Sequence, residues 1–139
     1  SRLDVQWLDE LTTTLNPLVR KNVVNVWFDK EIKPSQIWRQ EIAEAMASTS
    51  VAVMLVSANF LKSDFISSEE LPYFLEAAKS REVTILWVLL SDCLYTETPL
   101  VDYQAAHDIA YPIAPGSRAK RQAVWTRICA EIRRATERI

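Results

Sequence analysis

Apolar side chains switch between two spacings along this chain. Trp7, Leu8, Leu11, Leu15 and Leu18 recur three and four apart, which predicts an amphipathic helix over roughly Asp4 to Arg20. Pro17 is expected to kink or end its last turn. Val23-Val24-Asn25-Val26-Trp27-Phe28 is β-branched and aromatic and predicts a strand. Asp29 to Gln36, with Pro34, reads as a loop. Ile37, Trp38, Ile42, Ala45 and Met46 return to helical spacing. Val51 to Val56 is an unbroken apolar run, the signature of a parallel strand buried on both faces. Leu71, Phe74, Leu75 and Ala78 mark a third helix, and Val83 to Leu90 the next strand. Ser91 to Pro115 contains Pro99, Pro112 and Pro115 and predicts irregular chain, with room for one short helix and a short edge strand. A last helix spans Ala119 to Ile139, with Ala123, Val124, Ile128 and Ile132 on one side.

Strands alternating with helices predict an α/β fold: a three-layer sandwich with a parallel sheet in flavodoxin-like order. One element is out of place. The chain opens on a helix, whereas such a sheet puts its first strand in the centre. A central strand is therefore expected upstream of Ser1, because its absence would leave two interior strands with unpaired backbone groups. The last helix reaches Ile139 without a cap, so continuation into a larger protein is also expected.

Composition narrows the function classes. A length of 139 residues suits one domain, residues 1–139, with a sizeable core. A net charge of −2 gives no reason to expect nucleic acid as a partner. The longest apolar run, Val83 to Leu90, is far too short to cross a bilayer, and the N-terminus has no signal-peptide character. Cys93 and Cys129 lack metal-ligand spacing and read as buried, reduced thiols of a cytoplasmic protein. Gly116 is the sole glycine, which excludes a P-loop and a Rossmann fingerprint, since both need several glycines near phosphate. His107 is the sole histidine, so any Ser-His or Cys-His pair must use it; a structural role is expected. The basic residues from Arg118 to Arg138 read as a solvated helix face.

The stretch after the Val51–Val56 strand carries the most information. Ser57 ends the strand, Phe60 follows a short turn, and Ser63, Phe65, Glu69, Glu70 and Leu71 lead into the third helix. Ligands of α/β proteins bind at such carboxyl ends of parallel strands. The layout Ser-x-x-Phe-x-x-Ser-x-Phe, followed by Glu-Leu, resembles the TIR (Toll/interleukin-1 receptor) domain in its bacterial form. Trp27-Phe28-Asp29 is similar to the end of the second TIR strand, and Ile32-Lys33-Pro34-Ser35-Gln36-Ile37-Trp38 to the BB loop and the helix after it. Ser35 stands where the family usually has glycine. With Leu86 to Cys93 and Gln104 to Asp108, the resemblance spans about Ser1 to Ala114.

That resemblance implies a chemistry. In the enzymatic members of the family the motif glutamate cleaves the nicotinamide–ribose bond of NAD. Helical geometry puts Glu70 roughly 40° from Phe74, at the edge of the core face, and turns Glu69 away from the core. Glu70 is therefore the expected catalytic carboxylate; Glu69 is the alternative register, given by the family spacing counted from Phe65. Ser67 or Ser68 can cap this helix, and Pro72 suits its first turn. The resemblance further implies Phe65, Trp38, Asp29 and Ser57 as substrate-binding candidates. Trp38 reads equally well as a core residue, Asp29 as a brace for the loop, and Ser57 as a strand terminator. Ile32, Lys33, Pro34, Ser35 and Ile37 would form a BB-loop contact to a second TIR domain. NAD is expected as substrate, with no metal, no further cofactor and no membrane partner. Two functions follow: an NAD hydrolase acting in antiphage defence, or a non-catalytic TIR interaction module. A response-regulator receiver would need an aspartate where Val56-Ser57 ends the strand. Glutamate and an aromatic at the motif favour catalysis.

Overall fold

A computed structural model describes residues 4–24, 36–63 and 70–137, with the backbone alone for 36–38, 42 and 70. Helix α1 (Val5–Arg20) is followed by α2 (Gln36–Met46), β1 (Val51–Val56), the short α3 (Ala58–Lys62), α4 (Glu70–Ser80) and β2 (Thr84–Leu89). Two 3₁₀ turns, Tyr95–Glu97 and Pro99–Asp102, lead to β3 (Gln104–Ala105), and α5 (Arg118–Thr136) follows. The sheet is parallel, in the order β1-β2-β3. β1 pairs with β2 from Val51↔Thr84 to Val56↔Leu89, and β3 adds two residues beside Leu86 and Trp87. The architecture is α/β and fits the flavodoxin-like sandwich. From Asn25 onward the expected Val23–Phe28 strand lies outside the described residues.

Alternation along the strands splits the core in two, because successive side chains point to opposite faces. On one face Met54, Val56, Ile85, Trp87 and Leu89 pack against Leu71, Leu75 and Ala78 of α4, with Phe60 and Met46. On the other, Leu86, Val88 and Leu90 pack against Leu11 and Leu15 of α1 and against Trp125, Ile128, Cys129 and Ile132 of α5. Helices therefore cover both faces, as parallel sheets require.

Pro17 lies within the last turn of α1, which ends at Arg20 as the apolar spacing predicts. Two details depart from the sequence pattern. On α5 the centre of the buried face is Trp125, fully buried, while Ala123 is exposed. The indole can be buried whole because its Nε1 donates to Glu10 Oε1 at 2.9 Å. Glu10 also takes two bonds from Arg121, both at 3.1 Å, and Arg121 holds its carboxyl below the usual carboxylate range. The second departure follows from scarce glycine. α1 and α4 end through bonds from Val23 N to Leu18 O (2.9 Å) and from Val83 N to Ala78 O (2.8 Å). The left-handed residues this needs are Asn22 and Glu82, both at φ 57°.

His107 takes the structural role expected of it. β3 stops at Ala105, yet Leu89 N still needs an acceptor, and His107 Nε2 supplies it at 3.0 Å. The ring is thus the neutral Nδ1–H tautomer. Burial lowers its pKa, against the opposing influence of Asp108. The unfolded chain then binds this proton more readily, so stability is full above the unfolded value of ~6.5 and falls as the pH drops below it. Glu10 adds its own loss only in the more acidic carboxylate range. Melting temperature should therefore decline first between about pH 6.5 and 5, and His107→Gln should flatten that decline. An unchanged pH profile in the variant would show that the ring carries no such linkage.

Candidate functional site

The carboxyl edge of the sheet is built from the end of β1 and the starts of α3 and α4. Ser57, 2% exposed, follows β1 directly and caps α3, its Oγ accepting from Phe60 N at 3.1 Å. The same hydroxyl donates to Asp4 Oδ2 at 2.6 Å. Ser63 closes the short helix by donating from Oγ to Phe60 O at 2.6 Å. The chain returns at Glu70, the first residue of α4. Leu71, Leu75 and Ala78 of α4 are buried and Phe74 and Ala77 half-buried, while Glu76 and Ser80 face solvent.

α2 joins the same end of the molecule. Arg39, in its first turn, lays its guanidinium 4.5 Å from the centre of the Tyr73 ring, in the first turn of α4. The helix that follows the expected BB loop is thereby tied to the helix that opens with Glu70. Neither Arg39 nor Tyr73 stands out in the sequence. Asp4, just before α1, makes no side-chain cap bond and reaches Ser57 instead.

Of the residues picked from the sequence, Ser57 and the backbones of Glu70, Trp38 and Ile37 are described; the last two fall in the first turn of α2. Glu69, Phe65, Asp29, Ile32, Lys33, Pro34 and Ser35 lie outside the described residues.

Other chemistries find little support among the described residues. No group of three or more His, Cys, Asp and Glu there is placed to hold a metal ion. Burial pushes the Cys129 thiol up to about 11 and raises Cys93 as well, so neither is a ready thiolate at neutral pH. His107 Nε2 is committed to the backbone. No helix is long and apolar enough to cross a membrane among the described residues.

Comparison with known proteins agrees with this architecture. An uncharacterised protein of Sinorhizobium fredii (strain NBRC 101917 / NGR234), y4lF, is 26% identical over 113 residues, covering 81% of this chain and 35% of that protein. The chain thus spans about a third of that relative's length. No solved structure matches it. The model of the TIR domain family matches residues 1–135, nearly the whole chain, and with a parallel sheet covered by helices on both faces, the chain belongs to the TIR domain family.

Proposed function

We propose that this TIR domain hydrolyses NAD at the nicotinamide–ribose bond, as a cytoplasmic defence effector switched on by self-association. The observation that carries this is the burial pattern of α4. Position 70, the first residue of α4, lies on the same stripe of the helix as half-buried Phe74 and Ala77. That stripe supports reading Glu70 as the catalytic carboxylate at the carboxyl end of the sheet, where α/β proteins bind ligands.

The reaction asks little more of the protein. The C–N bond breaks and nicotinamide leaves as a neutral molecule with the bonding pair, so positive charge develops on the ribose. A fixed carboxylate stabilises that charge and can take the proton of the water that completes the reaction. Phe65 and Trp38 would supply stacking surfaces for the dinucleotide, and Asp29 would brace the loop. No metal ion enters this scheme. Incubating the full-length protein with NAD and following free nicotinamide tests the proposal; no release under conditions that permit assembly would leave a TIR interaction module.

Self-association makes a separate expectation. The BB-loop segment offers Ile32, Pro34 and Ile37 as apolar contacts and Lys33 as a charge. A loop of one copy meeting the site of the next is a head-to-tail contact that can grow into filaments. Ile32→Asp combined with Ile37→Asp should lower specific activity by about 10-fold or more and remove the larger species in sedimentation. Full, concentration-independent activity of a monomer would end this part of the proposal.

A further inference from the structure

Among the described residues the buried polar side chains are Asp4, 6% exposed, and Ser57, 2% exposed. They lie 53 positions apart in sequence and are bonded to each other. Taking a carboxylate out of water is costly, and well-packed apolar residues in place of a buried polar pair are often as stable or more so. What the pair does supply is position. Ser57 has one hydroxyl proton, given to Asp4, and its oxygen takes the N–H of Phe60. Asp4 therefore fixes the rotation of the very hydroxyl that caps α3. α3 has five residues, too few to hold itself as a helix, so its direction depends on this cap, on buried Phe60 and on Ser63. Beyond Ser63 the sequence enters the segment that carries Phe65, Glu69 and Glu70.

From this geometry we infer that Asp4, acting through Ser57, is a positioning residue that sets the direction of α3, the element between β1 and the sequence segment of the motif glutamate. This rests on the proposed NAD cleavage. Asp4 touches neither substrate nor reacting atoms in this scheme. Its effect is on where the carboxylate sits relative to the ribose, and a displacement of about 1 Å can cost a reaction ~100-fold.

The test uses the full-length protein with Asp4→Ala, Asp4→Asn, Ser57→Ala and the double alanine variant, measuring kcat and KM for NAD, thermal melts and amide exchange at Phe60. Asp4→Ala should lower kcat ~100-fold with KM nearly unchanged. Asp4→Asn, whose amide oxygen can accept the same bond, should restore most of the rate. The double variant should be no slower than Asp4→Ala, because both act through one hydroxyl. Full activity in Asp4→Ala, equal losses in Ala and Asn that follow the melts, or additive losses in the double variant would each overturn the inference. A wild type that releases no nicotinamide refutes the NAD proposal alone. The exchange data then decide: faster exchange at Phe60 in Asp4→Ala but not in Asp4→Asn keeps the positioning role, and equal exchange removes it.

Discussion

Glu70→Gln in the full-length protein should release nicotinamide from NAD at least ~100-fold more slowly than the wild type, with the same melting temperature. Glutamine keeps the size of the side chain and removes the charge that stabilises the developing cation, so the loss should fall on kcat rather than on KM. The fold should not notice. α4 is anchored by Leu71, Leu75 and Ala78, at 2%, 6% and 0% exposure, and position 70 lies beside that face and not within it. Glu69→Gln is the paired control. Glu69 is the alternative register counted from Phe65, and with Glu70 as the catalytic carboxylate activity should change by less than ~3-fold. Loss in Glu69→Gln with retention in Glu70→Gln would show that spacing from Phe65, not burial on α4, decides the register. Retention in both would leave no role for a motif carboxylate.

The largest loss of stability should come from Trp125→Ala, about 4 kcal/mol, read from denaturant unfolding of the full-length protein. Trp125 is fully buried in the core between α1, α5 and the sheet. Its removal opens a cavity and also strips Glu10 of a donor at 2.9 Å. Trp125→Phe separates these effects, because phenylalanine fills most of the space without an N–H and should cost only about 1–2 kcal/mol. Glu10 keeps its two bonds from Arg121 in either variant, which limits the polar share. A loss under about 1 kcal/mol in Trp125→Ala would mean that α5 contributes little to this core.

The regular part of the fold was legible because it is written in local patterns. Val51–Val56 is a strand over the residues its apolar run marks, and Leu71, Leu75 and Ala78 are the buried face that their spacing predicts. The TIR resemblance likewise followed from Ser57, Phe60, Ser63 and the residues after them, and the family match bears it out. What stayed hidden depends on distant partners. A short edge strand was expected somewhere in Ser91–Pro115, and β3 is that strand; its residues, Gln104 and Ala105, carry no pattern of their own, because β2 offers the edge they join and Trp87 Nε1 donates to Tyr103 O at 2.8 Å. Asp4 opens the stretch read as the first helix, and nothing in that pattern points to Ser57, 53 positions later, as its partner. Arg39 and Tyr73 meet only because α2 and α4 are neighbours. Helical geometry could rank Glu70 against Glu69, but Phe65, Glu69 and most of the BB loop lie outside the described residues.

The Glu10 cluster also bears on when this domain can acquire its structure during synthesis. Glu10 joins Arg121 and Trp125, 111 and 115 positions later. α1 is made well before α5, which supplies half of the layer it packs into. Until α5 emerges, Leu11 and Leu15 lack Trp125, Ile128 and Ile132 as neighbours. The β1–α4–β2 unit closes over a much shorter loop and can form first, since shorter loops close at lower entropic cost. Docking of α1 is then a late event that waits on translation, and a ribosome stalled before Arg118 would hold a nascent chain with an uncovered apolar sheet face, a natural target for chaperones.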